Sequence, residues 1–113
     1  MNKKVRIILI EDAKLFFNQL EINVSQETKN TLEVQLYNAI KTKVEFLKLN
    51  PFYGNNIKKF LIPKNLNVDN LWRIELSHFH RMLYTIKGNE DEIVCFIIKI
   101  LNHQDYNKFF GYK

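Results

Sequence analysis

The chain of 113 residues contains one cysteine, two prolines, three glycines and three histidines, and each scarcity excludes something. Cys95 has no partner for an internal disulfide and lies inside an apolar run, so a reduced, cytoplasmic chain is expected. There is no Pro/Gly/Ser-rich linker and no repeat, and residues 1–113 therefore read as one compact domain. The longest apolar run, IVCFIIKIL, is broken by Lys99 and falls short of the roughly 18 to 20 residues that a membrane-spanning helix needs. The basic start MNKKVRIILIED meets Glu11 and Asp12 too early for an export signal and offers no small-residue cleavage site. His78, His80 and His103 lack a tight ligand spacing, so neither a metal nor another cofactor is expected.

What is present is a globular balance, with 46% hydrophobic and 26% charged residues, in a chain long enough to bury a real core. Seventeen Lys and Arg against twelve Asp and Glu leave a net charge of +5, which permits a polyanionic partner without requiring one. The excess is concentrated. Between Pro51 and Lys87, six basic residues (Lys58, Lys59, Lys64, Arg73, Arg81 and Lys87) face only Asp69 and Glu75, leaving +4 in that stretch.

Periodicity divides the chain in two. VRIILI, residues 5–10, reads as a buried strand. Asp12 fits a helix N-cap ahead of Ala13, Phe16, Phe17 and Leu20, which share one apolar face. Ser25 and Glu27 fit the start of a second, longer helix with the stripe Leu32, Leu36, Ile40, Val44 and Leu47, which Pro51 must end. From residue 71 the period changes to two. LWRIEL puts Trp72, Ile74 and Leu76 on one face and Arg73 and Glu75 on the other, and FHRMLYTI and EIVCFIIKIL follow after short connections. Trp72 and Tyr84 read as core aromatics. The last strand, apolar on both faces apart from Lys99, reads as central. The expected fold class is α+β, two-layer, an antiparallel sheet packed on a helical hairpin, with the order β-α-α-β-β-β and a short C-terminal helix. In that helix Asn102 fits the N-cap, Phe109 and Phe110 fit sheet-covering contacts, and Gly111 fits the end.

This order of elements, together with LWRIELSHFHRMLYTI, an acidic turn, an apolar strand and the closing HQDYNKFFGY, resembles the RelE/ParE superfamily of toxins from toxin–antitoxin systems. In that family the second and third strands carry a pattern like lyR…yRllY, and a His or Tyr follows the last strand. Arg73, Arg81, Tyr84, His103 and Tyr106 match these places, and the specific part of the resemblance runs from Leu71 to Tyr112. The resemblance implies a small, metal-independent ribonuclease that in the RelE branch cuts mRNA in the ribosomal A site. The partners it implies are mRNA, the ribosome with its rRNA, and a cognate acidic antitoxin, for which the helix stripe around Leu32 and Leu36 is a candidate docking surface. The ParE branch, directed at DNA gyrase, shares the fold, as does a degenerate member that keeps antitoxin binding and has lost catalysis.

RNA cleavage of this kind needs a base for the 2′-hydroxyl proton, positive charge around the phosphate and an acid for the leaving 5′-oxygen. Arg81, with a planar fork that stays charged, is the first candidate at the phosphate, and Arg73 the second. Lys58, Lys59 and Lys64 are candidates for holding an RNA backbone, and His80 is retained for its nearness to Arg81 in sequence. His103 can carry a proton at neutral pH, and Tyr106 can stack on a base, orient the phosphate or assist proton transfer. Glu75 departs from the RelE pattern, which has lysines along this strand; it is either a general base or an ion-pair partner of Arg73 or a lysine.

Strand parity decides whether the arginines share a site. A two-residue loop at Ser77 and His78 places them on opposite faces, whereas a three-residue loop or a β-bulge places them on one face, with Arg73 across from Arg81. A shared site further requires His103 or Tyr106 to approach both arginines around one basic concavity.

Overall fold

The computed structural model describes residues 3–26 and 31–112. Strand β1 (Lys4–Leu9) is followed by helices α1 (Glu11–Gln26) and α2 (Thr31–Leu49) and by a two-residue strand, β2 (Asn55–Asn56). Two short 3-10 turns, Lys59–Leu61 and Lys64–Leu66, lead to β3 (Trp72–Glu75), β4 (His80–Gly88), β5 (Glu92–Asn102) and the closing helix α3 (His103–Phe110). The α+β order expected from periodicity is present. The additions, β2 and the 3-10 turns, fall in a stretch without a clear hydrophobic period.

The strands form one sheet in the order β1-β5-β4-β3-β2. Strands β3, β4 and β5 are the expected antiparallel meander, but the sheet as a whole is mixed, because β1 runs parallel to β5 with Lys4 opposite Glu92 and Leu9 opposite Ile97. Without β1, the apolar β5 would be an exposed edge, which invites wrong pairing. One face of the sheet, through Ile74, Met82, Tyr84, Cys95, Ile97 and Ile100, packs on Ala13 and Leu20 of α1 and on Leu36, Ile40 and Leu47 of α2. Leu36 is therefore core, and of the proposed docking stripe only Leu32 is exposed. On the other face Leu71, Leu83 and Ile98 are covered by Tyr106, Phe109 and Phe110 of α3 and by Ile57, Ile62 and Leu66. A β-bulge in β5 accommodates both faces: Leu83 pairs with Lys99 but Tyr84 with Ile97, so Ile98 is the extra residue.

Two helix boundaries differ from expectation. Asp12 lies within the first turn of α1, which opens at Glu11 (φ 50°), and the Asp12 carboxylate accepts a hydrogen bond from Lys99 Nζ at 2.6 Å. Ser25 belongs to the last turn of α1, where its hydroxyl donates to the Ile22 carbonyl at 2.8 Å, a local bond that competes with starting a helix. Its companion Glu27 lies outside the described residues. At the other end the reading holds: Asn102 Oδ1 accepts from the Asp105 N–H at 2.8 Å, and Gly111 (φ 74°) closes α3 in the left-handed conformation.

The β3–β4 hairpin places the arginines. The Leu76 N–H donates to the His80 carbonyl at 2.8 Å, leaving Ser77, His78 and Phe79 as a three-residue loop. Glu75 then pairs with Arg81 and Arg73 with Leu83, so Arg73, Glu75 and Arg81 share one face. The arrangement is diagonal and not direct, since the residue across from Arg81 is Glu75. The loop needs two successive left-handed residues, His78 (φ 55°) and Phe79 (φ 60°), a conformation that non-glycine residues adopt at a cost.

Tyr84, matched to the family pattern, is a fully buried core residue that ties the 50–54 turn to the sheet. Its hydroxyl donates to the Pro51 carbonyl at 2.9 Å and accepts from the Gly54 N–H at 3.0 Å. Gly54 is required there, because a Cβ would lie 2.7 Å from the Arg73 carbonyl oxygen. Tyr84→Phe leaves both backbone groups without their partner and is expected to lower unfolding stability by about 1–3 kcal/mol in urea titrations; an unchanged midpoint would contradict this anchoring role. Burial raises the Tyr84 phenol from 10.0 to about 12 and the Cys95 thiol from 9.0 to about 11. Both groups favour their neutral forms in the fold. Their contribution to stability is thus complete below about pH 9 and is lost as the pH rises through 11 and 12. Urea midpoints measured from pH 8 upward should fall, and Cys95→Ala should delay the onset.

Candidate active site

Five side chains meet on the sheet face next to α3. Arg81 is the centre. Its Nε lies 3.2 Å from both carboxylate oxygens of Glu75, its Nη1 donates to His103 Nδ1 at 3.1 Å, and its guanidinium carbon stands 4.5 Å from the centroid of the Tyr106 ring. Arg73 Nη1 donates to the Tyr106 hydroxyl at 3.2 Å, and its Nε lies 3.6 Å from Glu75 Oε1. The Tyr106 hydroxyl keeps the Arg73 guanidinium charged, above its already high ordinary value, against a smaller opposing effect of burial. The sequence-predicted residues Arg73, Glu75, Arg81, His103 and Tyr106 are thus brought together.

Each is held by the fold below it. Arg73, Glu75 and Arg81 take their direction from the hairpin register. His103 and Tyr106 are presented by α3, whose first turn is capped by Asn102 directly at the end of β5. Tyr106 is 3% exposed and packs against Phe110 at 4.7 Å between centroids, so its ring is a buried platform under Arg81. Of the roles expected of Tyr106, stacking on a base, orienting the phosphate and assisting proton transfer, this burial bears on the first: the face of the ring is given to Arg81 and the hydroxyl to Arg73. Glu75 is the ion-pair partner of both arginines, and its side chain remains 59% exposed, which leaves carboxylate lone pairs open to solvent.

An arginine only donates, so in the Arg81–His103 pair Nδ1 of a neutral imidazole is the acceptor and the ring proton resides on Nε2. Asn107 Nδ2 lies 3.3 Å from Nε2, and the amide turned over, with its oxygen in that place, accepts the hydrogen bond of the Nε2 proton.

The basic residues divide. Lys58 lines a cleft of about 430 Å³ that includes Arg73, Tyr106, Phe60 and Tyr112, whereas Lys59 and Lys64 are exposed in the 3-10 turns and do not line it. His80 is a correction. Strand alternation turns it to the helix-covered face, where its ring lies 6.1 Å from that of Phe16 in an apolar groove with Leu20, Leu32 and Leu36. Adjacency to Arg81 in sequence does not bring it to the arginine cluster, because neighbours in a strand point apart. Phe60 and Tyr112 were not anticipated; the aromatic next to two lysines in KKF was the available signal. No group of three or more His, Cys, Asp or Glu residues among the described residues could hold a metal ion. No helix among them is long and apolar enough to cross a membrane.

The tautomer gives a direct check. In the wild type, long-range ¹H–¹⁵N spectra of neutral His103 are expected to show the Nε2–H form dominant, and Arg81→Ala should shift the ring toward a mixture. A dominant Nδ1–H form in the wild type would rule out the Arg81–His103 bond.

No protein-family model matches the chain, and no curated protein does. Among solved structures, a YoeB/ParE toxin from Agrobacterium tumefaciens is similar, with a TM-score of 0.56 and 13% identity, covering 87% of this chain and 98% of that one. The fold of this chain is therefore that of the RelE/ParE-like toxins.

Proposed function

We propose that this protein is the toxin of a toxin–antitoxin pair and acts as a metal-independent endoribonuclease on mRNA at the ribosome. The observation that carries the reading is the convergence of Arg73, Arg81, Glu75 and His103 over the buried Tyr106 ring. In one small area these supply two permanent cations, an exposed carboxylate and an imidazole that can carry a proton, the set that cleavage by the 2′-hydroxyl needs. The fold shared with the YoeB/ParE toxin supports the toxin class. An acidic antitoxin and a cytoplasmic setting belong to the same proposal.

In this reading the scissile phosphate sits on the guanidinium edges of Arg81 and Arg73 and competes with Glu75 for them. Glu75, released, accepts the 2′-hydroxyl proton as the 2′-oxygen attacks phosphorus. The arginines hold the added negative charge of the five-coordinate phosphorus. The bond to the 5′-oxygen breaks, and His103, protonated at both ring nitrogens once Arg81 has turned from Nδ1 to the phosphate, gives its Nε2 proton to that oxygen and is left neutral. Tyr106 touches no reacting atom and is a positioning residue, holding Arg81 by its ring and Arg73 by its hydroxyl.

Primer extension on a translated mRNA tests this. Arg81→Ala and His103→Ala are each expected to lower cleavage by about 10²–10⁴-fold, the usual cost of a lost charge stabiliser or acid; full cleavage in both variants would remove the site. Glu75→Gln is expected to lower the rate of the cleavage step while tightening RNA binding, because it removes the negative charge beside both arginines. The same ion pairs favour a second reading, a ParE-like toxin directed at gyrase, since Glu75 offsets positive charge at the cluster. That reading gains if no mRNA is cut and gyrase–DNA complexes are trapped.

A further inference from the structure

The cleft next to the arginine cluster differs in chemistry from the cluster itself. It shares Arg73 and Tyr106 with it, and among the described residues no acidic one lines it. Its volume of about 430 Å³ falls within the range of small-ligand sites, roughly 300–1,000 Å³. Phe60, on its rim, is 81% exposed, and Tyr112 is 45% exposed. Phe60 stands in a 3-10 turn closed by the Leu61 N–H on the Lys58 carbonyl at 2.9 Å and the Ile62 N–H on the Lys59 carbonyl at 3.2 Å, so the ring is presented on fixed backbone. Asn55 pairs with Arg73 across the β2–β3 ladder and therefore points to the same face, and its side-chain amide has no partner among the described residues. Lys58 supplies a second positive charge.

An exposed aromatic by itself argues nothing, since single apolar side chains are common on surfaces. Phe79, 82% exposed at the hairpin tip, is such a case and does not line the cleft. At Phe60 the ring coincides with an unengaged amide, two cations and the absence of acids. A flat π-face suits stacking on a base, an amide offers the donor and acceptor that read a base edge, and Lys58 and Arg73 suit the flanking phosphates. Bases inside a duplex are stacked on one another and cannot present a face to such a ring.

We infer that this cleft is a subsite for one unpaired nucleobase of a single-stranded RNA, adjacent to the nucleotide whose phosphate the arginines hold, with Phe60 as the stacking partner and Asn55 as the residue that sets base preference. The inference rests on the reading of the arginine cluster as a phosphate site.

Fluorescence anisotropy with a short 2′-O-methyl RNA, which cannot be cleaved through the 2′-oxygen, tests the subsite independently of catalysis. At low salt the full chain is expected to bind the single strand more tightly than the duplex. Phe60→Ala should weaken single-strand binding roughly tenfold, within the range for losing one stacked base. Phe60→Tyr should restore it, and Phe79→Ala should leave it unchanged. Asn55→Ala should level the differences among oligonucleotides that vary at one base while changing the mean affinity little. Binding that depends on Phe60 in a protein that cuts no mRNA would uphold the subsite and defeat the nuclease reading. Equal affinities for wild type, Phe60→Ala and Phe79→Ala, or no binding by the wild type, would overturn the subsite.

Discussion

Two permanent positive charges are held close together on one sheet face, and the rest of the site is arranged around the repulsion between them. Glu75 offsets it by pairing with both guanidinium groups, and Tyr106 spreads Arg81 over its ring while accepting a hydrogen bond from Arg73. The carboxylate is exposed to solvent; the phenol is buried. A site built in this way holds its cations in position before an anion arrives, so little reorganisation is needed when one does.

The arrangement reaches back into parts of the chain that carry no chemistry. The hairpin loop must be odd in length for Arg73, Glu75 and Arg81 to share a face, and that loop is built with two left-handed residues, His78 and Phe79. The bulge at Ile98 lets β5 serve the helix-covered core before it and deliver His103 and Tyr106 to the opposite face beyond its end. Tyr84, on the other side of the sheet, fixes the 50–54 turn and with it β2, whose Asn55 borders the cleft. Among the described residues, helices α1 and α2, which cover the other face, contribute no side chain to the cluster.

Much of this was legible in the sequence, and the reasons for the rest are physical. Alternation in LWRIEL assigned Arg73 and Glu75 to the face opposite Trp72, and Asn102 and Gly111 marked both ends of α3. The parallel pairing of β1 was not legible, since a short apolar strand has the same pattern in either direction. Nor was the hairpin register: a three-residue loop there uses left-handed His and Phe in place of the glycine or asparagine that normally signals one. Ser25 and Asp12 are residues that cap helices, yet each makes another bond here, which local pattern cannot foresee. His80 shows how an adjacent residue misleads in a strand, and Tyr106 how an aromatic that looks available for stacking is used instead as a platform.

The central claim is that these side chains promote attack by the RNA's own 2′-oxygen. The chemistry of the cut ends tests it most directly. Mass spectrometry of the fragments released from a translated mRNA should find a 2′,3′-cyclic phosphate, or the 3′-phosphate formed by its hydrolysis, on the upstream fragment and a 5′-hydroxyl on the downstream one. Fragments carrying a 5′-phosphate and a 3′-hydroxyl would mean that water attacked in place of the 2′-oxygen, and the roles given to Glu75 and His103 would be contradicted.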